Sequence, residues 1–157
     1  MAVQILMHDL DPEAMRPFYR GPEFVSSRHS SKVSGIADLV PGAELDDLVF
    51  DPCGYSSNGL LEDSYFTIHV TPQPYCSFAS FETNLPQTNY TQLINRVVAV
   101  FKPRRFQVSL FANDTAICGK SYGAFEPKKI LGYKRLALTF HQFDHFDLSV
   151  AQFVRHA

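Results

Sequence analysis

Tyr65-Phe66-Thr67-Ile68-His69-Val70-Thr71 is the stretch on which the fold turns. Phe66, Ile68 and Val70 alternate with Tyr65, Thr67, His69 and Thr71, so an extended backbone sends the first set to an apolar face and the second to a polar one. Downstream, Cys76 to Thr83 alternates again, with Phe78, Ser80 and Glu82 on one side and Ala79 and Phe81 on the other, which predicts a neighbouring antiparallel strand. Upstream, Asn58-Gly59 is a hairpin signal. Tyr90, Leu93, Ile94, Val97, Val98 and Phe101 then recur at helical spacing and predict one amphipathic helix. Asn89 with Gln92 predicts a capping box for it, and Pro103 its end.

Farther out, Val3 to His8 reads as a strand, and Asp11-Pro12 caps a short helical pattern from Glu13 to Tyr19. Gly21 to Gly42 has no sustained period and reads as a loop. Leu45 to Phe50 is a short apolar approach to the turn-rich Asp51-Pro52-Cys53-Gly54. Phe106 to Ala112, Leu131 to His141 and Phe146 to Val154 are three more strands. Together these predict an α+β fold: an antiparallel sheet of five or six strands with helices on one outer face, forming a single domain over 1–157.

The 157 residues carry a formal net charge of −2, which gives no electrostatic case for nucleic acid or an anionic membrane surface as a partner. With 14 Phe and 7 Tyr, the chain can fill a core and is not compositionally disordered. Asp9, Asp11 and Glu13 interrupt the N-terminal segment, and no stretch has the length and apolarity of a membrane span or secretory signal, so the expected location is cytoplasmic. Cys53, Cys76 and Cys118 form neither a disulfide framework nor a paired zinc site.

Gly119-Lys120-Ser121 resembles the tail of a phosphate-binding loop, but Asp114 stands where the pattern needs its first glycine. His141 and His145 have ligand spacing without a third ligand nearby, so no metal is expected. Lys102, Arg104 and Arg105 form a small basic cluster where cations complement a helix C-terminus. Ser56 and His69 stand apart. The serine, read at a turn, and the imidazole, on the polar face of the following strand, can meet either as a catalytic pair or as an ordinary hydrogen bond.

The blocks Phe50-Asp51-Pro52-Cys53-Gly54-Tyr55-Ser56-Ser57-Asn58-Gly59, Tyr65-Phe66-Thr67-Ile68-His69-Val70-Thr71-Pro72 and Ser80-Phe81-Glu82-Thr83-Asn84 closely resemble the eukaryotic S-adenosylmethionine decarboxylase family. Ile5-Leu6-Met7, Val100-Phe101-Lys102-Pro103 and Gly132-Tyr133-Lys134-Arg135-Leu136 resemble it in the same order. The resemblance runs from Val3 to about Phe153 and covers the second, C-terminal half of the family chain. It implies one half of a four-layer αββα sandwich. It also implies a pyruvoyl enzyme that decarboxylates S-adenosylmethionine for spermidine and spermine synthesis, the pyruvoyl group serving as the electron sink that no ordinary side chain supplies. Carried over by position, Phe50 would stack on the adenine, and Ser56 and His69 would assist autocatalytic cleavage, the imidazole by taking a proton. Cys53 would support the site, and Glu82 and Phe111 would remain from a buried charge relay.

The family's Glu-Ser-Ser cleavage motif, the serine that becomes pyruvate and a catalytic cysteine belong to the first half and have no counterpart here, so the chain alone is expected to be inactive. Gln73 and Gln4 replace family acids, and putrescine stimulation is not expected. A sheet face meant to meet the other half would be left open, which predicts a homodimer or a heterodimer with a complete family member. The competing reading is an inactive paralogue that binds and regulates an active decarboxylase.

Overall fold

The computed structural model describes residues 1–24 and 26–156. Val25, inside the stretch read as a loop, and Ala157, at the expected domain boundary, lie outside the described residues. Eight strands form one antiparallel sheet, not five or six: β1 Ala2–His8, β2 Glu44–Val49, β3 Tyr55–Leu61, β4 Ser64–Thr71, β5 Phe78–Thr83, β6 Arg105–Asn113, β7 Tyr133–Gln142 and β8 Phe146–Arg155. Their order is β2-β3-β4-β5-β1-β6-β8-β7, so the N-terminal strand is central. Among the described residues, three α-helices, α1 Pro12–Met15, α2 Ser27–Ser34 and α3 Thr91–Phe101, with four single-turn 3₁₀ helices, complete an α+β architecture.

The alternation in β4 sorts as expected. Phe66, Ile68 and Val70 are buried with Val3, Ile5 and Met7 of β1, Phe81 of β5 and Val108 of β6. Leu93, Ile94, Val97, Val98 and Phe101 of α3 close over them in one continuous core. The opposite set, including Ser56 and His69, occupies the uncovered face.

Three local expectations fail for physical reasons. First, the segment read as a loop contains α2. The Ser26 hydroxyl accepts from the His29 N–H and Gly35, at φ 87°, supplies the left-handed C-cap. The helix buries Ser30 and Ser31, whose hydroxyls donate back to the Ser26 and Arg28 carbonyls, so it has no apolar stripe to reveal it. Second, Asn58-Gly59 is not a turn. β3 runs through it, and the chain reverses at Glu62-Asp63. Gly59 is required because a Cβ there would lie 2.1 Å from Cε1 of the Phe66 ring, its cross-strand partner. Third, α3 has no capping box: Asn89 Oδ1 accepts from the Thr91 N–H, two residues on, and Tyr90 occupies the cap position.

Candidate functional site

β3 and β4 pair so that Ser56 stands directly opposite His69. Ser56 Oγ lies 2.9 Å from His69 Nδ1. The two side chains therefore share the uncovered face, as the alternation of Tyr65, Thr67 and His69 requires. The serine sits within β3 and not at a turn, which corrects the sequence expectation: the hydrogen bond comes from cross-strand register and not from loop geometry. Because Nδ1 is engaged, Nε2 is the ring nitrogen left for other chemistry.

The same register row continues through Ser80, Leu6, Gln107 and Gln152. The next row sets Asn58, Thr67, Glu82, Gln4 and Ser109 side by side across five strands. Within it, Gln4 Nε2 donates to Glu82 Oε2 at 3.5 Å, and the Tyr65 hydroxyl, one row away, donates to Glu82 Oε1 at 3.1 Å. The Glu82 carboxylate, through that hydrogen bond, holds the Tyr65 phenol above its ordinary value, with burial adding to the effect. A third row brings Leu60 opposite Tyr65 and, across the sheet, Phe111 opposite Leu148. Glu82 and Phe111 thus occupy one face. That face is polar through its middle and apolar at its flanks, where Leu48, Leu60, Phe111 and Phe146 are exposed.

Phe50 follows β2. Its N–H donates to the Gly54 carbonyl at 2.9 Å, and its ring lies against the Gly54 Cα: a Cβ there would sit 3.4 Å from Phe50 Cδ2. At φ 115°, Gly54 is also a position that other residues rarely adopt. Alternation from Leu48, which pairs with Ser56, places Phe50 toward the same face at the sheet's end. Cys53 is half-buried, its backbone pairs with Tyr19, and among the described residues it makes no hydrogen bond to Ser56 or His69. Gln73, in the β4–β5 connection, has a buried Oε1 with no hydrogen-bond partner among the described residues.

On the covered side, Tyr55 and Ser57 flank Ser56 and donate to Asp47 Oδ1 at 2.9 and 2.6 Å. Burial drives the Tyr55 phenol far above its ordinary value. This network anchors β3 from beneath and was missed by sequence reading, although the alternation Tyr55-Ser56-Ser57 already divides it from the Ser56 side.

The other motifs resolve into structure. Lys120 Nζ pairs with the buried Asp147 carboxylate at 3.3 Å, which engages the lysine of the loop-like Gly119-Lys120-Ser121. Among the described residues, no three His, Cys, Asp or Glu side chains gather to hold a metal, and no helix is long and apolar enough to cross a membrane.

A family model described as adenosylmethionine decarboxylase matches residues 1–154. The chain is 46% identical over 151 residues to the S-adenosylmethionine decarboxylase proenzyme of Dictyostelium discoideum, covering 96% of this chain and 39% of that protein. It is 43% identical over 154 residues to the proenzyme of Xenopus laevis, covering 98% of this chain and 45% of the relative. The crystal structure of the Trypanosoma brucei AdoMetDC-delta26 monomer superposes with a TM-score of 0.88 at 32% identity, over 99% of this chain and 65% of the other. The chain therefore spans less than half the length of these two proenzymes. A match running from residue 1 to residue 154 makes it a member of the adenosylmethionine decarboxylase family.

Proposed function

We propose that this chain is the C-terminal-half portion of a pyruvoyl-dependent S-adenosylmethionine decarboxylase acting in spermidine and spermine synthesis. The observation that carries the reading is the Ser56–His69 hydrogen bond of 2.9 Å on the uncovered face, with Phe50 at the end of the neighbouring strand.

The residues present fit a carbonyl prosthetic group. β3, β4 and β5 contain no lysine or arginine, so no side-chain amine from these strands competes for the carbonyl or repels a cationic substrate. When bound, the pyruvoyl group would supply the electron sink for loss of carbon dioxide. What this chain contributes is positioning and proton handling. With Nδ1–H donating to Ser56 Oγ, His69 Nε2 presents a lone pair that can take a proton, the role expected during self-cleavage. Phe50 offers an exposed ring for adenine. Glu82, held by Gln4 and Tyr65, is the acid kept from the charge relay, with Phe111 on the same face two strands away, and Cys53 supports the turn before β3.

The protein acts in the cytoplasm in this reading, and its uncovered face associates with a second copy or with a complete family member. Burying about 400 Å² of apolar surface on each partner, about 800 Å² in total, would contribute roughly 20 kcal/mol before the cost of association is deducted.

The test is a chimaera in which this chain replaces the matched segment of the Dictyostelium proenzyme. It is expected to self-cleave and to release labelled carbon dioxide from carboxyl-labelled S-adenosylmethionine, and His69→Ala should slow cleavage at least about tenfold. A folded chimaera that neither cleaves nor decarboxylates refutes the proposal. The isolated chain should release none.

A further inference from the structure

The basic cluster after α3 is one part of a larger assembly that sequence order conceals. The N–H of Arg104 donates to the carbonyls of His8 and Asp9, and the N–H of Arg155 donates to the Arg104 carbonyl at 2.8 Å. Arg155 pairs with Tyr133 across β7 and β8, and the N–H of His156 donates to the Gly132 carbonyl. The end of β8, the approach to β6 and the start of β7 therefore meet at one end of the sheet. They bring with them Lys102, Arg104, Lys128, Lys134, Arg135 and Arg155, all solvent-exposed and, among the described residues, in no ion pair. Acids that reach this end are engaged: Asp9 with Arg105, Glu126 with Lys129, and Asp11 as the cap of α1. On a chain of net charge −2, this end is strongly positive.

The charges surround defined concavities. A cleft of about 370 Å³ is lined by Lys128, Lys134, Arg135 and His156. A second, of about 320 Å³, is walled mainly by Val98, Ala99 and Leu131, with Lys102 and Arg155 beside them, the Arg155 guanidinium donating to the Lys102 carbonyl. Tyr133 is the shared wall. Its hydroxyl donates to the Pro103 carbonyl at 2.8 Å, and the Arg155 guanidinium lies 5.9 Å over its ring, so the partition is fixed.

We propose that the paired clefts flanking Tyr133 bind a compact oligophosphate, the chemistry shared by inorganic tripolyphosphate and the phosphate tail of a nucleoside triphosphate. Arginine forks and lysine ammonium groups match several phosphate oxygens at once, and a bound polyanion relieves the repulsion among the six cations. Extended single-stranded nucleic acid is disfavoured because Tyr133 is buried and offers no stacking platform. The inference does not depend on the decarboxylase reading.

Isothermal titration of the whole chain at low ionic strength, with sodium tripolyphosphate, ATP, AMP and inorganic phosphate, provides the test. Tripolyphosphate and ATP are expected to bind within a few-fold of each other, AMP and phosphate at least about tenfold more weakly, and affinity should fall as salt rises. Lys134→Gln with Arg135→Gln should weaken tripolyphosphate at least about tenfold, whereas Arg28→Gln with Lys32→Gln on α2 should leave it unchanged. Lys128→Gln alone, with a smaller loss, serves if the double variant melts early. The proposal is overturned by absence of tripolyphosphate binding to the unmodified chain, by equal weakening in both double variants, or by a uridine oligonucleotide binding more tightly than tripolyphosphate at equal phosphate concentration.

Discussion

Gly59→Ala tests the packing argument for β3 at its sharpest point. The added Cβ would fall 2.1, 2.4 and 2.7 Å from three atoms of the Phe66 ring. That ring is 1% exposed and stacks on Phe81 at 5.8 Å, so it cannot swing away without opening the core. Overpacking of this kind costs about 1–3 kcal/mol, and loss of ring burial carries it toward the roughly 3–5 kcal/mol of a complete Phe→Ala deletion. We expect Gly59→Ala to destabilise by about 2–3 kcal/mol, or roughly 5–10 °C in melting temperature for a chain of this size. Urea unfolding followed by circular dichroism measures it. The decisive comparison is the Phe66→Ala background. With the ring removed, Gly59→Ala should be neutral, or stabilising by about 0.4–1 kcal/mol through a less flexible unfolded chain. A neutral Gly59→Ala in the unmodified chain, or an equal cost in both backgrounds, would refute the reasoning.

Tyr90→Phe removes a buried hydroxyl that donates to the Leu85 carbonyl at 2.9 Å and should cost about 1–3 kcal/mol in the same assay. Burial pushes the Tyr90 phenol up to about 12, so its contribution is fully present below pH 10 and is lost as pH rises toward 12; the variant should show a shallower alkaline loss of stability. Burial alone would raise the Asp147 carboxyl, but hydrogen bonds from Ser121 and Lys120 outweigh it and hold the group below its ordinary value. Its stabilising contribution is therefore present above the ordinary carboxylate range and lost as pH falls through the depressed value, so Asp147→Asn should flatten the acid limb of a pH–stability curve. Sedimentation at micromolar concentration should show a dimer, and a well-folded monomer would remove the case for association through the uncovered face.

Some of the site was legible because alternation is local. Three apolar residues in β4 were enough to place His69 on the face opposite Phe66, and the position of Ser56 on that face followed from one pairing. The partnership of Glu82 with Gln4 and Tyr65 was not legible, because it joins three strands whose order depends on β1 entering the middle of the sheet. Nor was α2, which holds to the sheet through buried serines and presents no apolar stripe for a hydrophobic reading to detect.

What the sequence by itself determined is the set of faces: the apolar stripe of α3, the two-sided strands β4 and β5, and the family blocks around Phe50, Ser56, His69 and Glu82. Side-chain period depends only on backbone geometry within one segment, so it survives without a partner. Tertiary structure alone decided that Gly59 lies under an aromatic ring and not in a turn. It alone opposed Ser56 to His69 in one register row, and it brought cations from Lys102 to Arg155 to one end of the sheet. Those outcomes come from pairings between strands distant along the chain, where the choice of neighbour minimises buried unpaired groups and empty volume across the whole molecule.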